Sequence, residues 1–397
     1  MGRQVNEREI VLAVLMEITE NGAYSHKILG EVLSKYQYLE KKERAFITRV
    51  TEGTLEHLIE IDYILDQFSK VKVKKMKPVI RNILRSGVYQ LKYMDSVPDH
   101  AVCSEAVKLA VRKGFSGLKG YVNGVLRSVA RGLDTLDYPQ EGIEALSIQY
   151  SIPTWILRLW EKSYGEEVTR TMAADFLKER PVTIRCCQNK VTPEQLKKEL
   201  EQEGVTVQEH PYLPYAFFIS GYDYLESLDC FWKGWFTVQD VSSMLVAEVA
   251  NPQKGDYIID MCAAPGGKSL HVGDKMGDYG TVDARDVSQY KIDLIEENIH
   301  RTDSINVQAH VQDATVFDVE SECKADIVLA DVPCSGYGVI GKKPEIKYRS
   351  TAQKEEELVI LQRNILDKAA EYVKPRGVLI FSTCTNAKEE NEENMMW

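Results

Sequence analysis

Tyr257-Ile-Ile-Asp-Met-Cys-Ala-Ala-Pro-Gly-Gly-Lys268 runs from a short, nearly unbroken apolar stretch into a glycine-rich turn. Continuous apolar character is what a strand buried on both faces requires. Pro265-Gly266-Gly267 lets the backbone turn sharply and come close to a ligand, and residues 268–276, which have helical spacing, then present unpaired N–H groups toward it. Four more apolar runs follow, at residues 280–284, 307–311, 327–330 and 378–381. Helical segments at 289–301 and 351–373 lie between them. Strands alternating with helices predict a doubly wound α/β domain with a parallel sheet.

In such a sheet, ligands bind beyond the carboxyl ends of the strands, so the residue types found there are informative. The first run leads into Cys262, Ala263, Ala264, Pro265, Gly266, Gly267 and Lys268. The second ends at Asp286, the third at Asp313, the fourth at Asp331-Val-Pro-Cys334 and the fifth at Thr383-Cys384-Thr385. The loop is neither G-x-G-x-x-G nor a phosphate-binding G-x-x-x-x-G-K-[ST], so NAD and ATP are not favoured. Asp286, 20 residues beyond Gly266, stands where a carboxylate can accept hydrogen bonds from ribose hydroxyls; the lesser alternative is an acidic residue at a helix start. Cys103, Cys186, Cys187, Cys230 and Cys323 are expected to be buried small hydrophobes. Cys334 and Cys384 differ, because both project from strand ends into the crevice that the loop faces, beside Asp331 and the cation of Lys268, which favours thiolate. Two cysteines with no histidine beside either fit covalent catalysis on an electrophilic ring better than proteolysis.

Further out, 397 residues exceed the roughly 150 of one domain. No apolar run approaches the roughly 20 residues of a membrane span. Eight cysteines without a C-x-x-C pair suit a reducing, cytoplasmic setting and give no zinc pattern, so no metal is expected. The net charge of −11 hides an asymmetry: residues 1–132 carry 22 Lys plus Arg against 15 Asp plus Glu, leaving the remainder strongly acidic. A basic front half suggests a part that meets a polyanion. It reads as all-helical, with Ile10, Val11, Val14, Leu15 and Ile18 on one buried face and Val79, Ile80, Ile83, Leu84 and Val88 on another. The lysines at 70, 72, 74, 75 and 77 could grip phosphates or form a solvated face. Around 134–140 the pattern loosens into a linker, and a mixed α+β segment follows. The expected domains are therefore 1–135, 141–240 and 241–397.

Taken together, residues 260–268, Ala330-Asp-Val-Pro-Cys-Ser-Gly336 and Ser382-Thr-Cys-Thr385 with Glu389-Glu-Asn391 resemble the signature motifs of RNA cytosine-5 methyltransferases. Lys42-Glu-Arg-Ala-Phe46, Gly53-Thr-Leu55, Arg81-Asn-Ile-Leu-Arg85, Tyr89-Gln-Leu91, Glu105-Ala-Val107 and Val122-Asn-Gly-Val-Leu-Arg127 resemble the NusB-type RNA-binding fold that prefixes the RsmB (Sun) branch, the 16S ribosomal RNA methyltransferases. The resemblance implies a NusB-like bundle, a small RRM-like α+β module and a Rossmann-like domain that binds S-adenosylmethionine. It assigns the donor's methionine end to residues 262–268, its ribose to Asp286 and its adenine side to Asp313. Cys384 would add to C6 of a cytosine, Asp331 would meet the base's N3 and N4 edge, and Cys334 would help the C5 proton leave. The partner would be 16S ribosomal RNA, with no membrane or metal, and the chain a monomer.

Two alternatives stay open: C5 methylation of a transfer RNA cytosine, and a noncatalytic NusB-like RNA-binding factor. The family's Asn near position 187 is replaced, within Arg185-Cys-Cys-Gln188. Relatives continue past the Glu-Glu-Asn stretch, so the chain reads as C-terminally truncated, with residues 379–381 an exposed apolar edge.

Overall fold

The computed structural model describes residues 6–178, 180–277 and 279–397. The chain folds into two compact units, one comprising the residues up to Lys178 together with Gly336–Thr351, the other the intervening residues to Ser335 together with Ala352–Trp397.

The first unit is helical. Glu7–Thr19, Ser25–Lys35, Lys41–Glu56, Leu58–Phe68, Pro78–Tyr93, Asp99–Arg112 and Lys119–Gly132 bury the apolar stripes that their spacing predicts, including Val14, Leu15, Ile83, Leu84, Val88, Val122 and Val129. Asn6 caps the first helix by accepting the Glu9 N–H. Helices Lys41–Glu56 and Pro78–Tyr93 meet at Gly53, where a Cβ would sit 2.1 Å from the Tyr89 ring, so only glycine fits. The Arg81–Arg85 motif proves to be structural: Arg81 pairs with Glu20, and Arg85 makes a two-pronged bond to Asp62 at 2.7 and 2.6 Å. Asn82, fully buried between them, donates to Thr19 and to the Pro78 carbonyl. Val73 and Met76 are buried, which turns Lys70, Lys72, Lys74, Lys75 and Lys77 out to solvent.

Helices Gly142–Tyr150, Thr154–Tyr164 and Glu166–Asp175 also belong to this unit, so the helical part extends well past the linker. Ser151 accepts the Glu60 N–H, and Trp160 stacks on Phe176.

Gly336–Thr351 rejoins the helical unit as a strap. The buried Glu345 accepts both the N–H and the hydroxyl of Ser25, at the start of a helix that otherwise lacks a side-chain cap. Lys347 donates to the Glu56 carbonyl at the end of another helix, Tyr348 to the Leu55 carbonyl, and Arg349 to the Ala23 carbonyl. Burial pushes the Lys347 ammonium down to about 7. The unfolded chain, with an ordinary lysine, then holds more protons than the fold between about pH 7 and 10, so stability rises with pH across that window. Lys347→Met removes this dependence. Its denaturation midpoint, measured against that of the unsubstituted protein, is expected to compare most favourably below pH 7 and to lose ground as pH rises.

The second unit carries two sheets. β1 (Val182–Cys186), β2 (Thr206–Glu209), β3 (Ala216–Ser220) and β4 (Phe236–Val238) form an antiparallel sheet in the order β2-β3-β1-β4. Leu196 and Leu200 of helix Pro193–Gln202 join its core, and a Thr192–Gln195 capping box starts that helix. β4 carries no signal in the sequence, being three residues long. Arg185, only 1% exposed, is consumed by Asp274 and Gln239.

β5 (Tyr257–Asp260), β6 (Thr281–Asp286), β7 (Val307–Val311), β8 (Ala325–Asp331) and β9 (Val373–Ser382) form an all-parallel sheet in the order β7-β6-β5-β8-β9. The order reverses between β5 and β8, which opens a crevice at their carboxyl ends. Helices Gly267–Met276, Gln289–Thr302 and Ala352–Tyr372 are the crossovers. β9 lies at the sheet edge. Its Leu379 and Phe381 are half-buried against Val328, Ala330 and Ile365 rather than exposed, and Val378 carries most of the exposure.

Candidate functional site

The residues singled out at strand ends converge at the carboxyl edge of the parallel sheet. β5 delivers residues 262–267 as a tight turn in which Gly266 takes φ +101°, a conformation that L side chains avoid, and caps the helix that follows. Above Gly267 there is open space where a Cβ would be. Asp286 holds this turn from the neighbouring strand: one carboxylate oxygen accepts the Ala264 N–H at 3.0 Å, the other the Val287 N–H and the Lys291 ammonium at 2.8 Å each. The carboxylate therefore fixes the loop and still has lone pairs to offer. Asp313, exposed beyond β7, accepts the N–H and hydroxyl of Thr315, and those bonds hold its carboxyl below the usual range.

β8 and β9 supply the reactive groups. Asp331 accepts Lys268 Nζ at 2.6 Å on one oxygen and the Ser382 hydroxyl at 2.8 Å on the other. Cys334 Sγ lies 3.2 Å from Cys384 Sγ, and the Cys384 backbone N–H donates to Cys334 Sγ at 3.2 Å. Cys334 is half-buried and Cys384 exposed. The hydrogen bond to Cys384, burial, and the neighbouring charges together push the Cys334 thiol well above its ordinary range. Burial does the same to Cys262, which is therefore no thiolate nucleophile.

Of the five cysteines expected to be inert and buried, Cys103, Cys186, Cys187 and Cys230 are buried. Cys323 is exposed, on a turn with φ +51°. The apolar reading fails there because a turn between elements has no core to enter.

Sequence reasoning passed over several residues of this site. Asp260, the last residue of β5, is fully buried. Burial pushes its carboxyl up to about 7 even though it accepts the Ser269 hydroxyl at 2.6 Å, and its Oδ1 has no partner. A carboxylate closing an otherwise apolar run was the available signal. Ser335 bonds Thr385 hydroxyl to hydroxyl at 2.7 Å, tying the two cysteine loops together. Gln362, buried on a helix remote in sequence, gave no signal at all. Among the described residues, no cluster of three or more His, Cys, Asp or Glu could hold a metal, and no helix is long and apolar enough to cross a membrane.

Residues 247–396 match the family described as 16S rRNA methyltransferase RsmB/F, residues 152–222 its ferredoxin-like domain, and residues 5–131 the NusB family. The chain is 34% identical to the probable ribosomal RNA small subunit methyltransferase B of Bacillus subtilis, covering 98% of this chain and 87% of that protein. It is 32% identical to the protein of the same description from Synechocystis, with the same coverage. A crystal structure titled PH0851 superposes with a TM-score of 0.85 at 26% identity over the whole of this chain and 89% of that one. A NusB-like bundle, a ferredoxin-like sheet and a Rossmann-like domain with paired cysteines at its strand ends define an RNA methyltransferase. The chain belongs to the 16S rRNA methyltransferase RsmB/F family.

Proposed function

We propose that this protein transfers a methyl group from S-adenosylmethionine to C5 of a cytosine in small-subunit (16S) ribosomal RNA, with Cys384 as the attacking nucleophile. The observation that carries the reading is the pair of thiols at 3.2 Å beside the Lys268–Asp331 ion pair.

The residues present suit the donor. The turn at residues 262–267 offers open space over Gly267, the helix start beside it presents N–H groups, Asp286 keeps acceptor capacity for ribose hydroxyls, and Asp260 Oδ1 is a buried polar atom without a partner at the same strand end. Asp313, exposed at the end of β7, suits the adenine side. When bound, the sulfonium supplies an electrophilic methyl group.

The chain's own residues do the rest. C5 of an aromatic pyrimidine is a weak nucleophile. The exposed Cys384 gives its proton to solvent water and its sulfur bonds C6, which breaks the C5–C6 double bond and loads electron density onto C5. Lys268, held by Asp331, offsets the negative charge that spreads toward N3 and O2, while Asp331 faces the base's N3 and N4 edge. C5 takes the methyl group. Cys334 gives its own proton to solvent once Cys384 is spent in the C–S bond, and its thiolate takes the C5 proton; the C5–C6 double bond then re-forms and the Cys384 sulfur departs as thiolate. Exposure separates the two roles, since the solvent-facing thiol is the one that an incoming base can reach. A target inside a helix must first be turned out of its stack, which costs about a few kcal/mol. The exposed lysines at 70–77 suit phosphate contacts.

The test is to mix the protein with labelled donor and naked 16S RNA, assembled small subunits or transfer RNA. Label at C5 of cytosine in 16S RNA is expected. Label confined to transfer RNA, or none with any substrate, overturns the reading.

A further inference from the structure

Cys334 is gripped on both sides by one buried polar pair. Gln362, on helix Ala352–Tyr372 and 0% exposed, donates from Nε2 to the carbonyl of Pro333 at 2.8 Å and to Glu390 Oε2 at 2.7 Å. The same Glu390 oxygen accepts the N–H of Ser335 at 2.9 Å. The residue before Cys334 and the residue after it are thus tied to a single Gln–Glu pair. Asn394 completes the amide by donating to Gln362 Oε1 at 2.8 Å. Asn391, next to Glu390 in sequence, serves the other cysteine: it accepts the Thr383 hydroxyl at 2.6 Å and donates to the Thr385 and Ala387 carbonyls. Adjacent side chains of one segment therefore hold the two loops that carry Cys334 and Cys384.

Stability does not require such an arrangement. Glu390 is 0% exposed and its Oε1 has no partner. Burial, with the charges of Glu390 and Glu389 behind it, pushes Glu355 nearby up to about 7. A buried carboxylate of this kind is costly, and apolar residues of similar volume would pack the site more favourably. What apolar residues cannot do is fix two backbone groups, on either side of Cys334, in register with each other.

We propose that Gln362 and Glu390 are positioning residues that hold Cys334 against Cys384, and so set how fast the covalent RNA adduct is resolved after methyl transfer. The second half rests on the function proposed above; the first half does not, and it can be read without RNA. Diamide oxidises thiols that are already close, taking up the two hydrogens lost as the Sγ–Sγ bond forms, so the rate of a Cys334–Cys384 disulfide, followed by mass spectrometry, measures the spacing. Gln362→Leu and Glu390→Ala are expected to slow it at least tenfold. Glu390→Gln should stay within threefold of the unsubstituted protein, because its amide oxygen can accept both hydrogen bonds while its nitrogen replaces the unpartnered oxygen. Should Gln362→Leu fail to fold, shown by loss of its denaturation transition, the Ala and Gln variants at 390 still decide. Equal rates across all variants overturn the positioning role. With RNA, Gln362→Leu is expected to accumulate covalent adduct while forming it at a near-normal rate. An unsubstituted protein that never forms an adduct overturns the proposed function and leaves the disulfide result standing.

Discussion

Cys384→Ala is expected to lower methyl transfer by a factor on the order of 10,000 or more and to abolish covalent protein–RNA complexes, with donor binding unchanged. The size follows from the chemistry: without sulfur added at C6, C5 stays part of an aromatic ring, and no other group in the crevice supplies a comparable nucleophile. The nearest alternative, Cys334, is half-buried, and burial with the charge of Glu390 still raises its thiol once the bond to Cys384 is gone. Denaturing gels of protein mixed with donor and substrate RNA check the result. An Ala variant that still forms a complex would transfer the role of nucleophile to Cys334, the scheme that DNA cytosine methyltransferases follow.

Cys334→Ala is expected to do the opposite to the adduct. Sulfur addition and methyl transfer do not call on Cys334, so both proceed, but loss of the C5 proton slows and the enzyme stays attached to its methylated product. The covalent complex should become a major species on a denaturing gel, while turnover falls on the order of 100-fold or more, the span of a lost general acid–base. The Ala variant also loses the acceptor for the Cys384 N–H. Cys334→Ser restores a polar partner there, so the adduct persists with serine if proton handling is the cause. A complex that disappears in the Ser variant would point instead to a misplaced Cys384. The two cysteine variants therefore give opposite readings of one gel, and a fold defect in Cys334→Ala would leave its lane without the band.

The parallel strands were legible because each is a short apolar run that ends on a polar residue. β7 coincides with the run at 307–311, while β6, β8 and β9 extend beyond theirs because hydrogen-bonded pairing continues past the last apolar side chain. The turn after β5 was legible through its glycines. The helices at 142–175 were harder: Trp155, Leu159 and Trp160 mark only the middle one, and burial of Trp160 and the Ser151–Glu60 bond put all three with the first unit. The return of Gly336–Thr351 to that unit had no local signal. Neither Glu345 under Ser25 nor Lys347 against Glu56 can be read from neighbours in sequence, since each partner lies roughly 300 residues away.

By itself the sequence determined the fold class and singled out the polar and thiol side chains at the strand ends, because periodicity and residue chemistry are local properties that survive in one dimension. Tertiary structure decided which of those side chains meet. Whether Cys334 lies against Cys384, whether Asp286 is also the brace of the donor loop, and which buried amide holds both neighbours of Cys334 depend on packing between segments tens of residues apart. Hydrogen bonds act over about 3 Å, and only the assembled sheet brings those groups within that range.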